Sequence, residues 1–260
     1  MTDALRLAVG TLTALPVRPP RRVDRAVAAT ALSWAPAVGL LLGVTAELVV
    51  LTVRWAVPGL SDRLLAAALA LAVLAVLTRG LHLDGLADTA DGLGSGRRGA
   101  AAVEVMQRPD VGAFGVVTVV LVLLVQVAAL DTALLRGRGT VALVGGAVVA
   151  RLALTWSARS GLDAAPGSRL GATVASSVGH FRLAAVTVLT AGGLSFLGWW
   201  EDDEPTTFVF TVLLAAAVAL LASQLLVRHC VKRFDGVTGD VMGAAAEIAF
   251  ATFAIAVCIH

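Results

Sequence analysis

Within ten residues the chain places His82, Asp84, Asp88 and Asp91. Three carboxylates that close repel one another unless a cation sits among them. At helical pitch Asp84, Asp88 and Asp91 share an arc of about 60°, with Ala87 on the same face. Asp240, Gly243, Ala244 and Glu247 repeat that spacing near the other end. Small residues beside the acids let a second helix or a ligand approach closely. Oxygen ligands at this density suit Mg²⁺ or Mn²⁺ rather than zinc. Mg²⁺ takes few carboxylates and shares its shell with phosphate oxygens. Acids with arginines nearby therefore point to phosphate or pyrophosphate chemistry. The plainer alternative, a solvated Asp/Gly turn, explains single aspartates but not a whole face of them, nor a second such face. His82 stays open. In a continuous helix it points about 160° away from Asp84, and it joins the acids only if the chain is not helical before Gly85.

The elements that carry these residues are apolar. The chain has 260 residues, 58% of them hydrophobic and only 15% charged. Seven apolar segments follow the first 25 residues: 31–53, 64–81, 111–135, 140–155, 183–200, 208–227 and 241–259. A span needs about 20 mainly apolar residues. The fold class expected is an all-α polytopic integral membrane protein, a single domain over residues 1–260 with about seven transmembrane helices. The fourth segment is short and holds Arg151. Residues 1–25 read as a short interfacial helix and a loop broken by Pro16, Pro19 and Pro20. They lack the pattern of a signal peptide. Cys230 and Cys258 form no CxxC pair, so neither a disulfide framework nor a zinc site is implied.

Basic residues set the orientation. With the N-terminus in the cytosol, most of the 20 basic residues fall on that side. The acidic run Glu201-Asp202-Asp203-Glu204 falls on the other. The five tryptophans sit at span ends, as an aromatic belt does. Both acid faces then open on the cytosolic side. Two further acids, Glu47 and Asp131, lie inside apolar segments; Asp131 is placed to reach Arg136.

The stretch Gly80-Leu81-His82-Leu83-Asp84-Gly85-Leu86-Ala87-Asp88-Thr89-Ala90-Asp91-Gly92-Leu93 resembles the signature of the cobalamin synthases, the adenosylcobinamide-GDP ribazoletransferases. The resemblance runs along nearly the whole chain. It includes Leu12 to Val17, Glu104-Val105-Met106, Gly112 to Val116, the pair Arg151 and Arg159, and Thr238 to Ala244 with Glu247 following. One departure is Arg108-Pro109-Asp110, where the family often has its two charges in the opposite order.

The resemblance implies a Mg²⁺-dependent transferase of a bacterial inner membrane, working in cobalamin biosynthesis with its site facing the cytosol. A ribose hydroxyl of α-ribazole, or of its 5′-phosphate, attacks the phosphate next to the cobinamide of adenosylcobinamide-GDP, and GMP leaves. Asp84, Asp88 and Asp91 are then expected to hold Mg²⁺, with Asp240 and Glu247 completing the shell or holding a second ion. A free carboxylate or His82 takes the hydroxyl proton. Arg108, Arg151, Arg159, Lys232, Arg233 and Thr238 are the expected substrate contacts, although Lys232 and Arg233 also read as ordinary topology determinants. The bilayer is the expected surrounding, no nucleic acid is expected, and a homo-oligomer is left open. A CDP-alcohol phosphotransferase spreads its aspartates differently, and a cation-coupled transporter accounts for the acids more loosely.

Overall fold

The computed structural model describes residues 1–57, 62–201 and 204–259. Asp202 and Asp203 of the acidic run, and the side chain of Arg169, lie outside the described residues. Among those described there is no strand, only two isolated bridges, Arg159 with Val178 and Ala164 with Val237.

The helices are α1 (Asp3–Leu12), α2 (Arg25–Ser33), α3 (Ala35–Ala56), α4 (Arg63–Leu77), α5 (Leu81–Gly94), α6 (Ala100–Met106), α7 (Ala113–Leu135), α8 (Gly146–Ser157), α9 (Arg169–Val174), α10 (His180–Glu201), α11 (Pro205–Phe234) and α12 (Gly239–Val257). A π-helical run, Val141–Gly145, leads straight into α8. Side-chain caps start many of them. Thr2, Asp24, Asp62, Ser168 and Thr238 each accept a backbone N–H of the first turn, a contact worth about 1 kcal/mol. Pro36 and Pro205 stand in first turns, where the missing N–H costs nothing.

All seven apolar segments are helical, but they do not all cross alike. Five helices (α3, α7, α10, α11 and α12) are long and apolar enough to span a bilayer. The fourth segment is the shorter Val141–Ser157. The second differs most from expectation: α4 stops at Leu77, and α5 leaves at 90° to it. Arg79 and Gly80 make that bend, both with left-handed φ, 56° and 68°. Glycine takes this conformation freely; Arg79 takes it at a cost and sends its guanidinium to the Gly10 carbonyl of α1 at 3.0 Å. Counting the bent pair as one span gives six. The first segment is also divided: α2 ends at Ser33, Trp34 caps it, and α3 starts again at Ala35.

α12 lies at the centre, packed on α5, α7, α8 and α11. Many of its inward residues are small: Gly243, Ala244, Ala245, Ala246, Ala249 and Ala254 are buried, alongside the larger Met242, Phe250 and Phe253. Small faces let helices in lipid approach closely enough for packing to hold them. The outward faces of α3, α7, α10 and α11 carry exposed Leu, Val and Phe, such as Leu48, Leu124, Phe196 and Phe210. This is the arrangement of a multi-pass membrane protein, whose solvent is hydrocarbon.

The polar residues within spans have specific partners. Asp131 pairs with Arg63 at 3.7 Å rather than with Arg136. Glu47 accepts the Thr140 hydroxyl at 3.3 Å. Glu201, from the end of α10, accepts the N–H groups of Thr140 at 2.9 Å and Val141 at 2.6 Å. These donors open the π-helical run and have no partner within it. Glu201→Ala is expected to destabilise the protein by roughly 1–3 kcal/mol, read as a lower thermal midpoint in detergent, with Glu201→Gln recovering part of the loss.

Candidate active site

The site is built where α5 crosses α12. At the crossing the helices touch through glycine. A Cβ on Gly85 would lie 2.8 Å from the Asp240 carbonyl oxygen and 3.0 Å from the Asp240 Cα. A Cβ on Gly243 would lie 3.3 Å from the His82 Cα. No side chain fits at Gly85 without moving backbone. This contact brings acids from the two helices together. The charges of Asp84, Asp240 and Asp91 all act on Asp88, and that of Asp84 acts on Asp240. Asp84 is exposed, while Asp88 and Asp240 are half-buried. Among the described residues, none of the three forms an ion pair with a basic side chain. Thr238 caps α12, accepting the Val241 N–H at 3.1 Å, and its side chain lies close to Asp240.

A cavity of about 470 Å³ opens beside this cluster. His82, Asp84, Gly239, Asp240 and Gly243 line one side, and residues of α1, α2 and α9 the other. His82 is helical and only 3% exposed, and its Nε2 has no hydrogen-bond partner. Sequence geometry turned it away from the aspartates if helical. It joins them because the cavity wraps the first turn of α5, so two residues on nearly opposite sides of that turn both reach it.

The last acid of each predicted face goes elsewhere, and both go to α7. Asp91 accepts the N–H of Gly112 at 2.7 Å and of Gly115 at 2.9 Å. It holds the N-terminus of α7, and the glycines there leave room for it: a Cβ on Gly115 would meet its carboxylate at 2.5 Å. Glu247 lies two turns along α12 from Asp240. It accepts the Gln126 amide at 2.8 Å and shares a separate small recess with Arg151 and Thr78. Arg151 is 4% exposed, and its Nε has no partner. Its charge acts on both His82 and Glu247, so it stands behind the cavity, between histidine and glutamate. Gln126, in the middle of apolar α7, escaped the sequence reading; a lone amide in a hydrophobic span was the signal for it.

The other expected contacts do not line the cavity. Arg159 donates to the Trp156 carbonyl at 2.9 Å and to the Gln224 side chain. Burial, then the neighbouring Arg228, hold its pKa below the ordinary arginine value. Arg108 is exposed just beyond α6, and Lys232 is exposed in the last turn of α11 beside Arg233. The sequence also missed the opposite wall: Leu7, Thr11, Leu12, Thr173 and Val174. The i, i+4 pattern of Ala4, Ala8 and Leu12 marked a buried face on α1 but not what it covers.

Among the described residues, no three His, Cys, Asp or Glu side chains close on one point as ready ligands of a metal ion. What is present is a set of unneutralised carboxylate oxygens from two helices at the mouth of a cavity. That donor set fits a hard divalent cation that takes one or two carboxylates and completes its shell with substrate phosphate. Fold and site thus define a polytopic helical membrane protein with a carboxylate site suited to phosphate chemistry.

Comparison with known proteins narrows this class. The family model of cobalamin-5-phosphate synthase matches residues 4–258. An adenosylcobinamide-GDP ribazoletransferase from Frankia casuarinae is 41% identical over 251 residues, covering 94% of this chain and 90% of the relative. One from Nocardioides sp. is 41% identical over 259 residues and 98% of each chain. One from Syntrophobacter fumaroxidans is 37% identical over 238 residues, 92% of this chain and 90% of its own length. No solved structure matches. The chain belongs to the cobalamin-5-phosphate synthase family.

The crossing makes a graded prediction. Gly85→Ala, which meets backbone, is expected to lower both the thermal midpoint and turnover more than Gly243→Ala, whose Cβ meets a looser contact. Equal effects would mean the helices do not touch there as described. Asp91→Ala is expected to lower stability by roughly 1–3 kcal/mol through the two orphaned N–H groups of α7, with Asp91→Asn milder. Circular dichroism melts in detergent measure both.

Proposed function

We propose that this chain joins α-ribazole, or its 5′-phosphate, to adenosylcobinamide-GDP with release of GMP, giving adenosylcobalamin or its 5′-phosphate. The observation that carries the reading is the meeting of Asp84 and Asp88 with Asp240 at the α5–α12 crossing, in a chain related over nearly its whole length to ribazoletransferases. The bond that forms joins a ribose oxygen to the phosphorus next to the cobinamide. The bond that breaks is the pyrophosphate bridge, and its electron pair leaves with GMP.

Asp84, Asp88 and Asp240 are the residues that would hold Mg²⁺. When bound, the ion neutralises the acids and withdraws charge from the pyrophosphate oxygens. The chain's own groups do the rest. A carboxylate that the ion leaves free, or His82 on the cavity wall, takes the hydroxyl proton. Thr238 fixes the first turn of α12 and so the position of Asp240. Arg151 stands behind His82, its charge also acting on Glu247, and supplies positive potential toward the phosphates without touching them. Asp91 and Glu247 are assigned to positioning, because α7 occupies their oxygens. Alignment of hydroxyl and phosphorus is the main catalytic device in such displacements.

The reading places the protein in a bacterial inner membrane with the site on the cytosolic side. The weighting of basic residues toward the N-terminal side supports this, and so does a substrate set of charged nucleotides.

The test is Mg²⁺-dependent GMP release from adenosylcobinamide-GDP and α-ribazole by the purified protein in nanodiscs. Asp84→Asn, Asp88→Asn and Asp240→Asn are each expected to lower kcat about 100-fold or more, the loss of roughly 3 kcal/mol of transition-state stabilisation. A near wild-type rate in any of them removes that residue from the site. Asp91→Asn and Glu247→Gln are expected to lose stability before they lose Mg²⁺ dependence.

A further inference from the structure

The cavity has a wall that the chemistry proposed above does not use. Leu7, Thr11 and Leu12 of α1, Ala31 and Leu32 of α2, and Val174 of α9 form it. The wall is fastened in place. Arg25 donates to the Ala175 carbonyl at 3.0 Å, and the Arg21 N–H donates to Asp3 at 3.2 Å. Away from the acids, the only polar side chains on the lining among the described residues are Thr11 and Thr173. At the other end stand Asp84, Asp240 and His82.

Two substrates must reach these acids, if the proposed function holds. The volume of about 470 Å³ is that of an ordinary small-molecule site, roughly 300–1,000 Å³. A nucleoside fits it; a corrin macrocycle with its side chains, several times larger, does not. The guanine of the GDP moiety carries several donors and acceptors, which a wall with two threonines leaves unsatisfied at a cost. A methylated benzimidazole is flat and apolar, with a single ring acceptor. We propose that the cavity between α1, α2, α9 and the α5–α12 crossing binds the benzimidazole nucleoside, its base on the apolar wall and its ribose hydroxyls at Asp84 and Asp240. The N-terminal helices are then a specificity element. They select an apolar base and aim its sugar at the acids, while the corrinoid approaches from outside the cavity.

Two experiments in the full-length protein test this. Ala31→Phe fills the apolar end. It is expected to raise KM for α-ribazole by roughly tenfold or more, with KM for adenosylcobinamide-GDP changed less than twofold. In the second, Val23→Cys places a thiol on the lining, against a background of two buried native cysteines. Saturating α-ribazole is expected to slow its maleimide labelling several-fold, and adenosylcobinamide-GDP to leave it unchanged. If Ala31→Phe does not fold, the labelling result decides alone. If wild type releases GMP but α-ribazole does not protect Val23→Cys, or if the two KM values move together, the pocket assignment is overturned and the reaction stands. If wild type releases no GMP from these substrates, the functional reading fails and this assignment fails with it.

Discussion

The backbone contact between Gly85 and Asp240 is the constraint on which the rest depends. Like charges do not gather on packed helices unaided. Repulsion among Asp84, Asp88 and Asp240 has to be outweighed by something steric, and a crossing close enough to exclude a methyl group supplies it. In lipid, no hydrophobic effect drives helix against helix; close packing of small faces does that work. The small inward face of α12 thus serves stability and chemistry through the same atoms. It packs on α5, α7, α8 and α11, and its first turn carries Asp240 to the acids of α5.

Around this contact the polar groups divide into two sets. One is left without cationic partners at the mouth of a cavity, where a cation and phosphates have access. The other is satisfied internally. Asp91 is bound to the start of α7, Glu247 to Gln126, Asp131 to Arg63, and Glu201 to the start of the π-helical run. Hydrocarbon enforces that division, because a polar group inside the bundle finds a protein partner or is costly to keep there. Arg151 stands between the sets. It is buried, its charge acts on both His82 and Glu247, and its Nε is unsatisfied.

The bend at Arg79 and Gly80 gives α5 its place. Had α4 run on unbroken, the aspartates would have continued along the axis of a span. A 90° turn instead lays α5 across the end of the bundle and against α12. The strained φ of Arg79 is tied to α1 through the Gly10 carbonyl, so the N-terminal helix and the acid helix are positioned by one residue. α1 is therefore part of the site's architecture, although its sequence reads as a peripheral amphipathic helix.

The sequence alone determined the solvent of this fold, the existence of its helices and the candidate acids. Apolar runs of spanning length are a composition property, and the spacing of Asp84, Asp88 and Asp91 on one face, and of Asp240 and Glu247 on another, is readable because helical pitch is fixed. The motif order also placed the chain beside its family before any coordinates. Tertiary structure decided which acids meet. The two faces match in spacing, yet their last members turn to α7, since pitch fixes directions around one axis and says nothing about which neighbour lies in them. The same limit left His82 open, because its place depends on a cavity wrapping a helix end. It hid the apolar wall as well, which three separate segments share. Such features exist only once helices far apart in sequence are packed.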